Sequence, residues 1–320
     1  MDIDAAPKAE LHRHLDGIID PDIAASIRCL HPTYPIDPDE LIRAYPVDGF
    51  ESFLDWWNFT EPISGHLDFF APILVQHIER LTKQSVRYAE IMIGASEIPE
   101  NHDEAVGAVS RFRQSVGTAH NIQLEFLIAF SRTKSPERVA QIAEKTIALL
   151  DAGLVAGVAL AGPEENHPVK PFANTFSRLF EAGVGIEIHA GEWCGPESVW
   201  DALKYGQPDR IGHAVAAFDD NGLLDEIAKR GIHLEMCPTS NLETGSLKRI
   251  EDHPVRRARD LGLDYSVSID DPGVFECSMT TEFTLLAELF EFDETDFAQL
   301  YQNAVDASFA DRLSTDNKTT

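Results

Sequence analysis

Apolar residues along this chain fall into two alternating rhythms. Short runs rich in β-branched and aromatic residues are separated by longer stretches in which apolar positions recur at helical spacing. Eight runs read as strands: "KAELHRHL" (8–15), "VRYAEIMIG" (86–94), "IQLEFLIAF" (122–130), "VAGVALAG" (155–162), "GVGIEIHAG" (183–191), "DRIGHAV" (209–215), "GIHLEMCP" (231–238) and "DYSVSID" (264–270). Of the stretches between them, 135–153 has Ser135 as a cap, Pro136 in the first turn and Gly153 as terminator, and 169–183 and 218–231 also close on glycine. This order predicts an α/β fold, a (β/α)8 TIM barrel. A doubly wound open sheet is the alternative, but no Gly-x-Gly-x-x-Gly follows the first strand, and polar residues stand at nearly every strand end.

The first connection, roughly residues 16 to 85, is far longer than a plain crossover and predicts a helical insertion over the barrel mouth. Within it Phe50, Phe53, Leu54 and Trp57 follow helical i, i+3, i+4, i+7 spacing, which suits core packing or an apolar lid. Residues 1–310 read as one domain, and the polar, aperiodic 311–320 as a frayed tail.

With 320 residues and 43% hydrophobic content, the chain can bury a large core. No apolar run approaches membrane-spanning length, and "MDIDAAPKAE" has no basic and then apolar leader, so a cytoplasmic protein with no membrane partner is expected. Cys29, Cys194, Cys237 and Cys277 are scattered, which suits free thiols. Lys and Arg total 26 against 54 Asp and Glu, and a formal charge of −28 makes a nucleic-acid partner improbable. A small molecule is the expected partner, and a homo-oligomer stays open.

Barrel enzymes place their chemistry at the C-terminal ends of the strands. Strand one ends with His12 and His14, strand five with His189 and Glu192, strand six with His213, and strand eight with Asp270 and Asp271. Two histidines two residues apart on a strand share a face, while Arg13 points away. With 12 His in the chain, roughly 0.4 such pairs arise by chance, so the pair needs partners. Three imidazoles and one carboxylate, His12, His14, His189 and Asp270, suit one Zn²⁺ with a position left for water, although other divalent transition metals fit the same donors. "HLE" at His233–Glu235 matches half of a cytidine-type deaminase zinc signature, but no Pro-Cys-x-x-Cys follows, so His233, Glu235 and Cys237 read as strand residues.

In order, "ELHRHLDG", "LAGPE", "HAGE", "RIGHA", "CPTSN" and "DDP" resemble the adenosine deaminase family of metal-dependent barrel hydrolases over nearly the whole chain. The resemblance implies that His12, His14, His189 and Asp270 bind zinc. It implies that Glu192 donates a proton to the purine ring, that His213 orients the attacking hydroxide, and that Asp271 hydrogen-bonds both. Gly162 matches a position whose backbone meets the purine, Asp16 one that contacts the ribose, and His14 also faces the substrate. Four positions depart from the family pattern: Ile269 for the frequent Ser or Thr, Ala214 for Gly, Ala159 for Asp and Met92 for Arg.

The expected reaction is hydrolytic deamination of an adenine nucleoside, adenosine or deoxyadenosine, to the inosine product with release of ammonia. The adenine-specific branch usually has Glu where this chain has Asp16, and the strand-end motifs hold no cation cluster for a 5′-phosphate. Related aminopurines (adenine, aminodeoxyfutalosine or N6-methyl-AMP) and other metal-dependent amidohydrolase chemistry are the alternatives. A two-metal hydrolase would place a lysine after the fourth strand, where "ALAGPE" has none.

Overall fold

A computed structural model describes residues 2–30, 36, 37, 39, 63, 65–117 and 122–310. Its strands are β1 (Lys8–Glu10), β2 (Val86–Gly94), β3 (Gln123–Ser131), β4 (Gly157–Ala161), β5 (Gly185–Ala190), β6 (Arg210–His213), β7 (His233–Met236) and β8 (Tyr265–Val267). Each pairs in parallel with the next, in sequence order from β1 to β8. A bridge between Arg13 and Asp270 joins the two ends, and the Asp270 N–H donates to the His12 carbonyl at 3.1 Å. The architecture is a (β/α)8 barrel.

The strands lie where the apolar runs place them, with one informative difference. β1 stops at Glu10 and does not run on to Leu15. Beyond it the chain is shared between two neighbours, since Arg13 bridges to Asp270 and His14 to Met92. That break in the ladder is where the two histidines enter the site. Arg13 faces the other way, fully buried, and its guanidinium donates to Glu10 at 2.6 Å and to His77 on the helix Leu67–Lys83.

The helices follow their caps. Helix Pro136–Asp151 starts with Ser135 accepting the Arg138 N–H, and helix Asn221–Arg230 ends at Gly231 in the left-handed conformation. Their apolar faces, with those of Leu67–Lys83 and His102–Val116, pack on the outer faces of the strands in one continuous core. The first connection contains the helices Pro21–Leu30 and Leu67–Lys83. Phe50, Phe53, Leu54 and Trp57, and residues 311–320, lie outside the described residues. No helix among the described residues is long and apolar enough to cross a membrane, and all four cysteines are free thiols.

Met92 and Ala159, two of the departures from the family pattern, belong to a single apolar cluster with Leu127, Ala156 and Phe309. An arginine at one position without a carboxylate at the other would leave a buried, unpaired charge. Ile269 is likewise buried in the main core.

Candidate active site

The strand ends bring the histidines together. His14 Nε2 lies 3.1 Å from His189 Nε2, and Asp270 Oδ1 lies 3.4 Å from His14 Nε2 and 3.6 Å from His12 Nε2. His12 Nε2 and Asp270 Oδ1 are buried and have no hydrogen-bond partner among the described residues. A buried polar atom left unpaired is costly, and a cation between these donors would satisfy both. The donor set, imidazole nitrogens with one carboxylate oxygen, suits a transition metal and not Ca²⁺ or Mg²⁺.

Each imidazole is oriented from behind. His12 Nδ1 lies 2.7 Å from Glu235 Oε2, and His189 Nδ1 lies 3.0 Å from the Glu187 carboxyl. A proton held on each Nδ1 leaves the Nε2 lone pair aimed at the centre. Gly212 makes room for this packing, because a Cβ there would sit 2.6 Å from His12 Cε1 and 2.4 Å from Glu187 Oε1. Arg210 closes the network, with Nε 2.6 Å from Glu235 Oε1 and a further ion pair to Glu90.

His213 is held differently. Asn241 Nδ2 donates to its Nδ1 at 3.1 Å, which in this arrangement puts the ring proton on Nε2, 3.6 Å from Glu192 Oε2 and 3.9 Å from Asp270 Oδ2. A protonated Nε2 has no lone pair for a metal, although His213 lies close enough to His12 and His189 to form a possible ligand group. Both His213 and Ala214 have positive φ, 62° and 55°, in the region where glycine is favoured. Ala214 fills that position with its methyl group in the core.

Burial sets the protonation states. It lowers the pKa of His14 to about 4 and of His213 to about 3, against the pull of Asp270, so both rings are neutral at physiological pH. Burial, then the charges of Asp270 and Glu164, hold the Glu192 carboxyl well above the ordinary carboxylate range. Burial and the Asp270 charge do the same to Asp271, and burial raises Asp16 to about 7. Glu235 is pulled the other way, its burial outweighed by Arg210 and His12, so it is the charged partner of the His12 ring.

All the predicted site residues except His12 line one cavity of about 550 Å³, and His12 is itself fully buried. Glu192, His213 and Asp271 line the cavity beside the candidate ligands, while Phe130, Ile142 and Pro163 provide apolar surface. Lys134 and Arg138, in the loop after β3 and the first turn of helix Pro136–Asp151, also line it. The lack of cations in the strand-end motifs thus does not extend to the whole cavity wall. Arg138 is paired with Glu100 at 2.6 Å, and Lys134 makes no ion pair among the described residues.

Several residues of this arrangement escaped the sequence reading. Glu235, taken there as an ordinary strand residue, holds His12; Glu187 holds His189; Ser240 Oγ donates to Asp270 Oδ2 at 2.7 Å; and Asn241 holds His213. Ser240 and Asn241 stand in "CPTSN", and Glu187 lies two residues before His189 on the same strand face, so the period-two rule was the available signal. His233 remains structural, bonded to Asp264 at 3.0 Å and Ser266 at 2.8 Å.

Known proteins resemble the chain along its whole length. An adenine deaminase of Sinorhizobium fredii is 31% identical over 309 residues, covering 95% of this chain and 94% of that protein. An aminodeoxyfutalosine deaminase of Streptomyces avermitilis is 32% identical over 313 residues, covering 95% of this chain and 87% of that one. The crystal structure of an adenine deaminase from Arthrobacter aurescens superposes with a TM-score of 0.82 at 24% identity, covering 98% of this chain and 100% of the other, and so shares the fold. With the family model for adenosine deaminase matching residues 7–318, the chain belongs to the adenosine deaminase family of hydrolytic C–N deaminases.

Proposed function

We propose that the protein is a zinc-dependent deaminase that converts an adenine nucleoside, adenosine or deoxyadenosine, to the inosine product and ammonia, acting in the cytoplasm. His12, His14, His189 and Asp270 would hold the ion. When bound, Zn²⁺ lowers the pKa of a water molecule toward ~7 and so supplies a nucleophile at neutral pH. The observation that carries the reading is Glu192, a buried carboxyl 3.6 Å from His213 and beside these donors, its pKa raised by burial, in a cavity of about 550 Å³.

The roles follow from chemistry. Water oxygen bonds to the ring carbon bearing the amine, the C–N bond breaks, and nitrogen leaves as ammonia while the carbon becomes a carbonyl. Attack breaks the aromatic ring system, and a protonated Glu192 can deliver a proton to the ring nitrogen at that moment. His213, donating from Nε2, orients the attacking oxygen and favours its developing charge. Asp271 and the Gly162 backbone bind the purine, and Asp16, beside His14 on the substrate-facing wall, takes a ribose hydroxyl. Membership of a deaminase family whose relatives include an adenine and an aminodeoxyfutalosine deaminase supports an aminopurine substrate. A purine base alone leaves part of a cavity this size to water, which favours a nucleoside.

A second reading has its own observation. Lys134, unpaired among the described residues and facing the cavity, suits a nucleoside that carries an anionic group distant from the amine. Ammonia release from adenosine, 2′-deoxyadenosine, adenine, AMP, N6-methyl-AMP and aminodeoxyfutalosine at equal concentration separates the two, with Asp16→Ala and Lys134→Ala in parallel. Adenosine or deoxyadenosine should give the highest kcat/KM and lose it in Asp16→Ala. An anionic substrate that turns over fastest and weakens in Lys134→Ala establishes the second reading, and fastest turnover of free adenine defeats both.

A further inference from the structure

Glu164 lies in the loop after β4, is 5% exposed, and carries no part of the chemistry described above. Its carboxylate is nonetheless fully engaged by the next strand's loop. Oε1 accepts the N–H of Glu192 at 2.8 Å and of Trp193 at 3.1 Å; Oε2 accepts the N–H of Gly191 at 3.0 Å and the Ser198 hydroxyl. An ionised carboxylate offers about four acceptor sites, and all are used here. Three consecutive backbone N–H groups converge on one anion, the geometry of an anion nest filled from within the chain.

The bland alternative is a helix cap. The helix Pro196–Tyr205 begins after Gly195, and the three amides that Glu164 accepts all precede that cap. Glu164 therefore binds the segment that carries Glu192. Gly191 supports the same geometry, since its φ of +71° turns the chain after β5 and a Cβ there would meet Val199 Cγ2 at 2.7 Å. Arg132, at the end of β3, adds a second strap by donating to the carbonyls of His189 and, at 3.1 Å, of His167. Glu164 and Arg132 together tie the loop after β4 to the end of β5 and the segment that follows it.

We propose that Glu164 is a positioning residue for Glu192, holding the backbone of residues 191–193 so that the Glu192 carboxyl stays against His213 at 3.6 Å. This rests on Glu192 as the proton donor. A carboxyl displaced by about 1 Å from its acceptor can cost up to ~10²-fold in rate. Replacing one Glu164 oxygen with an amide NH₂ would set a donor against backbone donors and release the segment.

The test is a double-mutant cycle on the metal-loaded enzyme with adenosine, or with the best substrate of the panel above. Glu164→Gln should lower kcat by about 10- to 100-fold at unchanged metal content and nearly unchanged KM. In the Glu192→Gln background, where no carboxyl remains to be placed, the same substitution should change kcat by less than about twofold. An equal fold-loss in both backgrounds, or a rise in KM with kcat kept, overturns the positioning role while leaving the donor in place. Near-normal kcat in Glu192→Gln alone instead overturns the donor and the positioning role together. Should Glu164→Gln fail to fold, Ser198→Ala removes one of the four donors; it should cost several-fold in kcat, again only when Glu192 is present. No loss, or a loss in both backgrounds, overturns the proposal.

Discussion

Nδ1 of His12 lies 2.7 Å from the Glu235 carboxylate, although 223 positions separate the two residues in sequence. The contact joins the segment after β1 to β7 across the barrel interior. It fixes which nitrogen of His12 faces the other candidate ligands, and Arg210 on β6 keeps Glu235 charged for the purpose.

Glu235→Gln should therefore weaken metal binding by ~10- to 100-fold without abolishing it, because an amide still accepts from Nδ1–H but carries no charge to raise the ring's basicity. A competition titration with a chelator measures the change. An affinity equal to that of the parent would show that the contact has no bearing on the metal.

About one transition-metal ion per chain is expected, because every candidate donor group among the described residues shares His12. His12→Ala and Asp270→Ala should lose metal and activity together, by elemental analysis and ammonia release on the same samples. Two tightly held ions, or an active preparation without any, would sink the assignment.

The barrel was legible because its strands obey local rules. Runs such as "VRYAEIMIG" are apolar enough to be buried on both faces, and Ser135 and Gly231 mark helix ends by their own chemistry. The residues of the site facing the cavity were legible too, since polar side chains at strand ends have few other reasons to be there. What escaped was whatever depends on partners far along the chain. Glu235 reads as a strand residue until His12 is seen behind it, and Glu164 as a loop residue until three amides of the next unit converge on it. Lys134 escaped because it stands beyond the strand-end motifs, on the loop that closes the far wall. Met92 and Ala159 are separate departures in the sequence, and only the fold shows that both lie in one buried apolar cluster.

Glu291 ends the helix Met279–Phe290 with φ at 58°, a left-handed conformation that costs an L-residue ~1–2 kcal/mol. Its side chain is 79% exposed and pairs with Arg256 at 3.1 Å, a surface contact worth little. Glu291→Gly should stabilise the fold by about 0.5–1 kcal/mol after the entropy glycine adds to the unfolded chain. Denaturant melts of the two proteins check it, and a destabilised variant would mean the ion pair outweighs the backbone strain.

Glu282 is fully buried on the same helix with neither carboxyl oxygen hydrogen-bonded among the described residues, and burial pushes its pKa from the ordinary 4.5 up to about 8. The folded state thus binds this proton more tightly than the unfolded state does. The stabilisation is complete below the unfolded value and is lost as pH rises through the folded one, so the window runs from 4.5 to about 8. Glu282→Gln keeps the shape and cannot ionise, which removes that loss. Relative to the parent, the variant should gain stability steadily between about pH 5 and pH 8 and hold a constant advantage above that. The measurement is the difference in unfolding free energy between the two proteins across this range, which cancels every other titrating group they share. A difference that stays flat with pH, or that shrinks as pH rises, would show that the Glu282 carboxyl ionises as readily in the folded barrel as in the unfolded chain.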